Sequence, residues 1–258
     1  MKKYILDFRL TENVSLHSNY SLMKFIPVKG ILPNMLPGQF AEVRIDCSAS
    51  TFLRRPISIN YIDTEKKELW LLVRNAGKGT HSLISSKPGN IINMILPLGN
   101  SFSLPEKKEK ILLIGGGVGV APMLFWGNYL KEQGYTPNFL IGARTEKDLL
   151  ELDLFKKTGT TYITTEDGSK GEKGFVTHHS ILSKTKFDRI YCCGPQPMMI
   201  SIAKYSKSNG IECEVSLENM MACGVGACLC CVEDTTDGHL CVCKEGPIFN
   251  IIKLKWEI

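Results

Sequence analysis

The sequence predicts an all-β half followed by an α/β half and a small cysteine-rich end: an antiparallel β-barrel, then a parallel-sheet domain, then a compact metal-binding subdomain. Three observations carry this. Up to about residue 100 the chain is a series of short β-like runs punctuated by turns. From Ile111 apolar strands alternate with helical stretches, the pattern of a parallel sheet. Six of the ten cysteines then fall between Cys223 and Cys243.

In the first half the β-like runs lie at 22–28, 39–45, 56–62, 69–74 and 91–95, with Asp63-Thr64-Glu65-Lys66-Lys67 as a polar turn between two of them. Lys78-Gly79-Thr80-His81 reads as the start of a short helix with Thr80 as its N-cap. Within Arg54-Arg55-Pro56-Ile57-Ser58, a guanidinium and a hydroxyl one dipeptide apart are expected on one face of a strand, set to grip a diphosphate. A surface arginine pair is the plain alternative.

In the second half the strands are 111–114, 138–141, 160–164 and 189–192, the helices 120–133 and 197–208, and a strand at 212–217 is expected to close the domain. The loop Gly115-Gly116-Gly117-Val118-Gly119-Val120-Ala121-Pro122 follows a strand and opens a helix, where backbone N–H groups can hold a pyrophosphate as in a Rossmann-like domain. Pro122 stands where the dinucleotide fingerprint has its third glycine, so that pattern is only partly met, and a structural tight turn is the alternative. Tyr191-Cys192-Cys193-Gly194-Pro195-Gln196-Pro197-Met198 ends another strand at the same sheet edge, the side on which open α/β sheets bind ligands. Gly194-Pro195 alone would equally serve to turn the chain. Arg144, Glu146 and Asp148 follow the second strand and leave the choice between a ribose hydroxyl and a 2′-phosphate open. Residues 111–130 carry no charge over twenty positions, yet Gly115, Gly116, Gly117 and Gly119 would each cost a membrane helix about 1 kcal/mol relative to alanine.

In the tail, Cys223, Cys228 and Cys231 have the C-x4-C-x2-C spacing of a plant-type 2Fe-2S cluster, with Cys243 as fourth ligand and Gly224 and Gly226 where backbone must wrap around sulfur. Zinc also suits paired thiolates, but it usually takes two separated knuckles, and only Cys228 and Cys231 form a C-x2-C. Cys230 and Cys241 are extra; Cys241 lies two residues before Cys243 on an expected strand, and an irregular segment there would leave Cys241 open as the fourth ligand instead.

Composition narrows the class. With 43% hydrophobic and 22% charged residues the 258-residue chain is globular, and a net charge of +5 is mild. Lysines and acids alternate in Glu106-Lys107-Lys108-Glu109-Lys110, which describes a solvated loop and not a nucleic-acid stripe. The apolar run after Lys2 and Lys3 is too short for a signal peptide, so a cytoplasmic protein is expected, with neither nucleic-acid nor membrane partner.

Together these motifs resemble the ferredoxin-reductase-like flavoproteins over residues 1 to about 217. The tail, with Leu217-Glu218, Met221, the cysteine loop and Cys243-Lys244-Glu245-Gly246-Pro247-Ile248-Phe249, extends the resemblance to the electron transfer subunits of NAD-linked, two-subunit dihydroorotate dehydrogenases. The resemblance implies three segments: an FAD-binding barrel (1–102), an NAD-binding α/β domain (103–216) and a 2Fe-2S subdomain (217–258). It places flavin contacts on Arg55, Pro56, Ile57, Ser58, Leu72, Val73, Arg74, Gly79 and Thr80. It places the nicotinamide dinucleotide on Gly115, Gly116, Gly117, Gly119, Pro122, Gly194 and Pro195, with Cys193 nearest the nicotinamide. Cluster ligands fall on Cys223, Cys228, Cys231 and Cys243.

Once barrel, nucleotide domain and tail are counted, nothing remains for a substrate domain. The resemblance implies a partner that contains FMN and oxidises dihydroorotate to orotate in pyrimidine biosynthesis, two of each chain forming a heterotetramer, with NAD+ as terminal acceptor. Met220, Met221 and Leu229 near the cluster suit docking or simply cover it. Two other readings stay open: the flavin and cluster subunit of a sulfide dehydrogenase or NAD(P)H-ferredoxin reductase, whose members often have aspartate at the position of Cys223, and a non-catalytic metal-binding redox sensor.

Overall fold

The computed structural model describes residues 2–17, 19–46, 51–106 and 108–258, so Lys107 of the charged turn lies outside the described residues. The chain divides into two compact units. One comprises the residues up to Ser101 with 218–233 and 239–247; the other comprises 102–217, 234–238 and 248–258.

In the first unit six strands close a barrel: β1 (Tyr4–His17), β2 (Tyr20–Pro27), β3 (Phe40–Val43), β4 (Arg55–Asp63), β5 (Glu68–Arg74) and β6 (Ile91–Leu98), in the order β1-β2-β5-β4-β3-β6 with antiparallel pairing. Five of them coincide with the sequence-predicted runs. Strand β1 was not expected, because Asp7 and Arg9 break its apolar run. Its signal is the alternation itself: Phe8 and Leu10 are fully buried while Ile5 and Arg9 face out. Between β5 and β6 lies helix α1 (Lys78–Ile84), whose N-cap is Gly77 and not Thr80. Thr80 stands three residues into the helical sequence, and its Oγ1 accepts the N–H groups of Ala76 (2.8 Å) and Gly77 (3.1 Å), so it ties down the turn from inside the helix.

In the second unit β7 (Ile111–Gly116), α2 (Val120–Glu132), β8 (Asn138–Ala143), α3 (Leu152–Thr158), β9 (Thr160–Thr165), β10 (Glu172–Lys173), α4 (Ile181–Lys184), β11 (Arg189–Cys193), α5 (Gln196–Ser208) and β12 (Glu212–Ser216) build a parallel sheet in the order β10-β9-β8-β7-β11-β12. The central strand β7 is buried at every position, as a strand covered on both faces requires. Trp126 on α2 stacks on Phe102 (5.6 Å between ring centroids) and meets Tyr191 edge-on (5.3 Å), anchoring the helix to the sheet. Contrary to expectation, β12 does not end the sheet. The tail forms a two-stranded ribbon, β13 (Val232–Thr235) and β14 (Gly238–Cys241), then a short helix, α6 (Val242–Glu245), and finally β15 (Ile248–Asn250), which pairs antiparallel with β12. Among the described residues no helix is long and apolar enough to cross a membrane; residues 111–130 are divided between β7, a glycine turn and α2.

Candidate functional sites

The flavin candidates lie along a split in the barrel. The β4–β5 ladder runs from Asp63 opposite Glu68 to Ile59 opposite Leu71. Beyond it Arg55, Pro56, Ile57 and Ser58 have their register partners on β3, and Leu72, Val73 and Arg74 have theirs on β2. The four pairs from Val43–Arg55 to Phe40–Ser58 contain no bulge, so strand alternation sets Arg55 and Ser58 on opposite faces. The same-face expectation is therefore wrong: a separation of three residues reverses the side of a strand. Arg55 instead finds its company across the split. Its Nη1 donates to the carbonyls of Leu53 (3.0 Å) and Arg54 (3.1 Å), and its guanidinium lies against Gly79, where an added Cβ would stand 2.7 Å from Nε and 3.0 Å from Nη2. This is a cradle that a side chain at position 79 would fill, with a fixed cation on one wall and the Gly77–Thr80 turn on the other, and it fits a diphosphate. Arg54 is not part of it. Its Nη1 donates to the carbonyls of Glu42 (3.2 Å) and Asn93 (3.1 Å) and its Nη2 to Asn93 Oδ1 (2.6 Å), so it is a structural brace.

The two glycine loops of the second unit form one site. β7 and β11 are neighbouring parallel strands, so the loops after Gly116 and Cys193 leave the same sheet edge. They touch: a Cβ on Gly119 would stand 2.5 Å from the Cys193 carbonyl carbon and oxygen and 2.6 Å from the Gly194 nitrogen, and a Cβ on Gly116 would stand 2.6 Å from Met198 Sδ. Gly117 has φ +56°, the left-handed turn that directs the chain into α2. Pro122 is the third residue of α2, where its missing N–H costs no helical bond. Cys193 is fully buried at the end of β11, and Pro195 caps α5. The result is a close-packed glycine edge with the first turn of a 13-residue helix behind it, suited to a pyrophosphate. Gly119→Ala would drive a methyl group into backbone that cannot swing aside; overpacking typically costs about 1–3 kcal/mol. We expect that loss in thermal stability together with weaker NADH binding, measured by denaturation and by fluorescence titration.

The cysteines converge as a third site, in the first unit. Three left-handed residues, Gly224 (φ +66°), Gly226 (φ +83°) and Leu229 (φ +56°), curl the loop so that its N–H groups face sulfur. Cys223 Sγ accepts the N–H groups of Val225 (3.4 Å) and Ala227 (3.3 Å), Cys243 Sγ accepts that of Gly226 (3.1 Å), and Cys231 Sγ accepts that of Cys243 (3.4 Å). Burial works against ionisation of Cys223, but the N–H groups of Val225 and Ala227 and the neighbouring Cys228 bring its thiol down to about 6. Burial, then the adjoining Cys231, pushes the Cys243 thiol up to about 12. Cys241 ends β14, so the strand expected to run on through Cys243 stops first, and Cys243 sits on α6, turned back to the loop. Cys230 is exposed. Among the described residues no three His, Cys, Asp or Glu side chains are already set around a single ion. A donor set of four thiols, three of whose sulfurs accept backbone N–H groups, fits an iron–sulfur cluster.

Sequence reasoning did not find the residues that fix this loop to the barrel. Asn100 donates its backbone N–H to the Gly246 carbonyl (2.6 Å) and its Nδ2 to the Glu245 carbonyl (2.6 Å), while Gln39 Nε2 holds the Gly99 carbonyl (2.9 Å). A Cβ on Gly99 would meet Pro247 Cδ at 2.5 Å, and one on Gly224 would meet Glu42 Cγ at 2.5 Å. Glu42 is fully buried on β3, where burial pushes its carboxyl up to about 7 against the pull of Arg54, with Cys223 adding to the rise and Arg55 opposing it. The cysteine loop thus rests on β3, the strand whose other side pairs with Arg55, Pro56, Ile57 and Ser58.

Residues 218–255 match the family described as the iron-sulfur cluster binding domain of dihydroorotate dehydrogenase B, and residues 113–204 match the oxidoreductase NAD-binding domain. Among similar proteins, the dihydroorotate dehydrogenase B (NAD(+)), electron transfer subunit, of Shouchella clausii is 39% identical over 222 residues, covering 83% of this chain and 85% of that one. Its counterpart from Fusobacterium nucleatum is 35% identical over 257 residues, covering 95% and 96%. Among solved structures, an NADH-dependent reduced ferredoxin-NADP oxidoreductase superposes with a TM-score of 0.86 at 28% identity, over 97% of this chain and 90% of that one. The FAD/NAD-binding domain of nitric oxide dioxygenase from Vibrio cholerae, at 20% identity and a TM-score of 0.70 over 81% of this chain and 98% of that one, shares the fold.

Proposed function

The chain belongs to the family of dihydroorotate dehydrogenase B (NAD(+)) electron transfer subunits, and from that premise we propose how its own residues carry electrons to NAD+. The cofactors are FAD, a 2Fe-2S cluster and NAD. When bound, FAD exchanges two electrons with the nicotinamide and single electrons with the cluster, and the protein's contribution is position and electrostatics.

In our reading Cys223, Cys228, Cys231 and Cys243 hold the cluster. Cys243 is preferred to Cys241 because its sulfur takes an N–H from inside the cysteine loop. Arg55 and the turn at Gly79 and Thr80 grip the FAD diphosphate, while Pro56, Ile57, Ser58, Leu72, Val73 and Arg74 line the split beside it. Gly115, Gly116, Gly117, Gly119, Pro122, Gly194 and Pro195 hold the dinucleotide, and Cys193 closes the end of β11 near the nicotinamide. We assign residues 1–102, 103–216 and 217–258 to FAD, NAD and cluster respectively. The single observation that carries this is the seat of the cysteine loop on β3, one strand from the Arg55–Ser58 segment.

The family name implies a catalytic partner subunit. We propose that this partner holds FMN and oxidises dihydroorotate to orotate, that two copies of each chain assemble, and that the complex works in the cytoplasm. Co-expression with such a chain tests this. A stable complex that passes electrons from dihydroorotate to NAD+ is expected, and a chain that binds no such partner while reducing ferredoxin from NADPH would instead favour the reductase reading, to which the TM-score of 0.86 gives weight.

A further inference from the structure

Glu42 has no part in the ligand sets above. It is fully buried on β3, and neither carboxyl oxygen has a hydrogen-bond partner among the described residues. Arg54 bears on it by charge but does not hydrogen-bond it: Nη1 goes to the Glu42 and Asn93 carbonyls and Nη2 to Asn93 Oδ1. The side chain is aimed at the cysteine loop: a Cβ on Gly224, the residue after Cys223, would stand 2.5 Å from Glu42 Cγ and 3.0 Å from Oε1, with Leu98 Cδ1 at 3.1 Å. An apolar side chain of this length would fill the same space without the cost of taking a carboxyl out of water. In its ionised form the carboxyl sets a negative charge against the loop, which an apolar side chain could not do.

We propose that Glu42 is a positioning residue for electron transfer, whose carboxylate beneath Gly224 lowers the reduction potential of the cluster held by Cys223, Cys228, Cys231 and Cys243. The inference rests on the cluster reading above. Adding an electron beside a fixed negative charge in a poorly screened interior is unfavourable, so the carboxylate favours the oxidised cluster and drives electrons onward. Arg54, just before β4, and Arg55, its first residue, bear on the same carboxyl with the opposite sign.

Glu42→Gln keeps the volume and removes the charge. With the full-length chain carrying its cluster and FAD, at pH 8.5, a potentiometric titration followed by electron paramagnetic resonance reads the cluster, and FAD absorbance in the same sample reads the flavin. We expect the one-electron equilibrium of the cluster to shift about tenfold toward reduction, a rise of about 59 mV, with a smaller shift for FAD. An unchanged cluster potential at full cluster content, or an equal shift of both centres, overturns the proposal. Should E42Q not retain the cluster, Glu42→Asp decides: a potential near that of the unmodified protein supports the proposal, and a tenfold rise with the charge kept overturns it. Loss of the cluster from both variants also overturns it, since Glu42 would then serve the loop's structure alone. Failure of the cluster reading itself looks different, because the unmodified protein would then give no cluster signal.

Discussion

Cys243→Ser should strip the chain of its cluster and abolish electron transfer from the partner to NAD+, while NADH oxidation with an artificial two-electron acceptor persists through FAD. Changes that only touch a metal ligand from outside typically cost about 10–100-fold in affinity or activity, so removal of a ligand should exceed about a hundredfold. Cys223→Ser, Cys228→Ser and Cys231→Ser should behave alike. Cys230→Ser should leave the cluster in place, since Cys230 stands outside the C-x4-C-x2-C spacing of Cys223, Cys228 and Cys231. The sharper contrast is Cys241→Ser. Cys241 is buried at the end of β14, and its own N–H is donated to Glu245 Oε2 (3.0 Å), whereas Cys243 Sγ is engaged by the loop through Gly226. Visible absorbance and iron content therefore should survive in the Cys241 variant and vanish in the Cys243 variant; the reverse would reassign the fourth ligand.

The second large effect is expected at Arg55. A hydrogen bond to a charged group contributes about 1.5–3 kcal/mol, so Arg55→Ala should weaken FAD binding by about 10–100-fold. Arg55→Lys should not restore it, because the grip depends on a planar fork lying flat against Gly79 and not on charge alone. Gly79→Ala should act in the same direction by a different route, its methyl displacing the guanidinium that now stands 2.7 Å from the Cβ position. FAD retention after dialysis, with circular dichroism to show an intact barrel, measures both. A variant that keeps FAD at unmodified affinity would move the diphosphate elsewhere along the split.

How much of this the sequence discloses depends on the range of the interactions. The glycine edge and the cysteine loop are legible because each is a local motif in which spacing itself encodes chemistry. The short strands around Leu71 and Leu96 are legible because turn residues bracket them. Strand β1 is hidden by the charges of its outward face, although every second residue from Tyr4 to Leu10 points inward. The pairing of β15 with β12 joins positions far apart in the chain, so no local pattern announces it. The same holds for the seat of the cysteine loop on β3: Gln39, Glu42 and Asn100 look like ordinary surface polar residues until the fold brings Gly99, Gly224 and Gly246 against them. Arg55 and Ser58 part company for a simpler reason: three positions apart on an unbulged strand, the two side chains fall on opposite faces.

The central claim is that one chain connects NAD chemistry to a sulfur-bound two-iron centre through FAD. The most direct measurement is anaerobic addition of NADH to the purified protein, followed by absorbance and electron paramagnetic resonance. The account predicts bleaching of FAD and the appearance of a reduced 2Fe-2S signal, with iron and acid-labile sulfide in equal amounts. Zinc on the cysteines, with no flavin and no response to NADH, would contradict it.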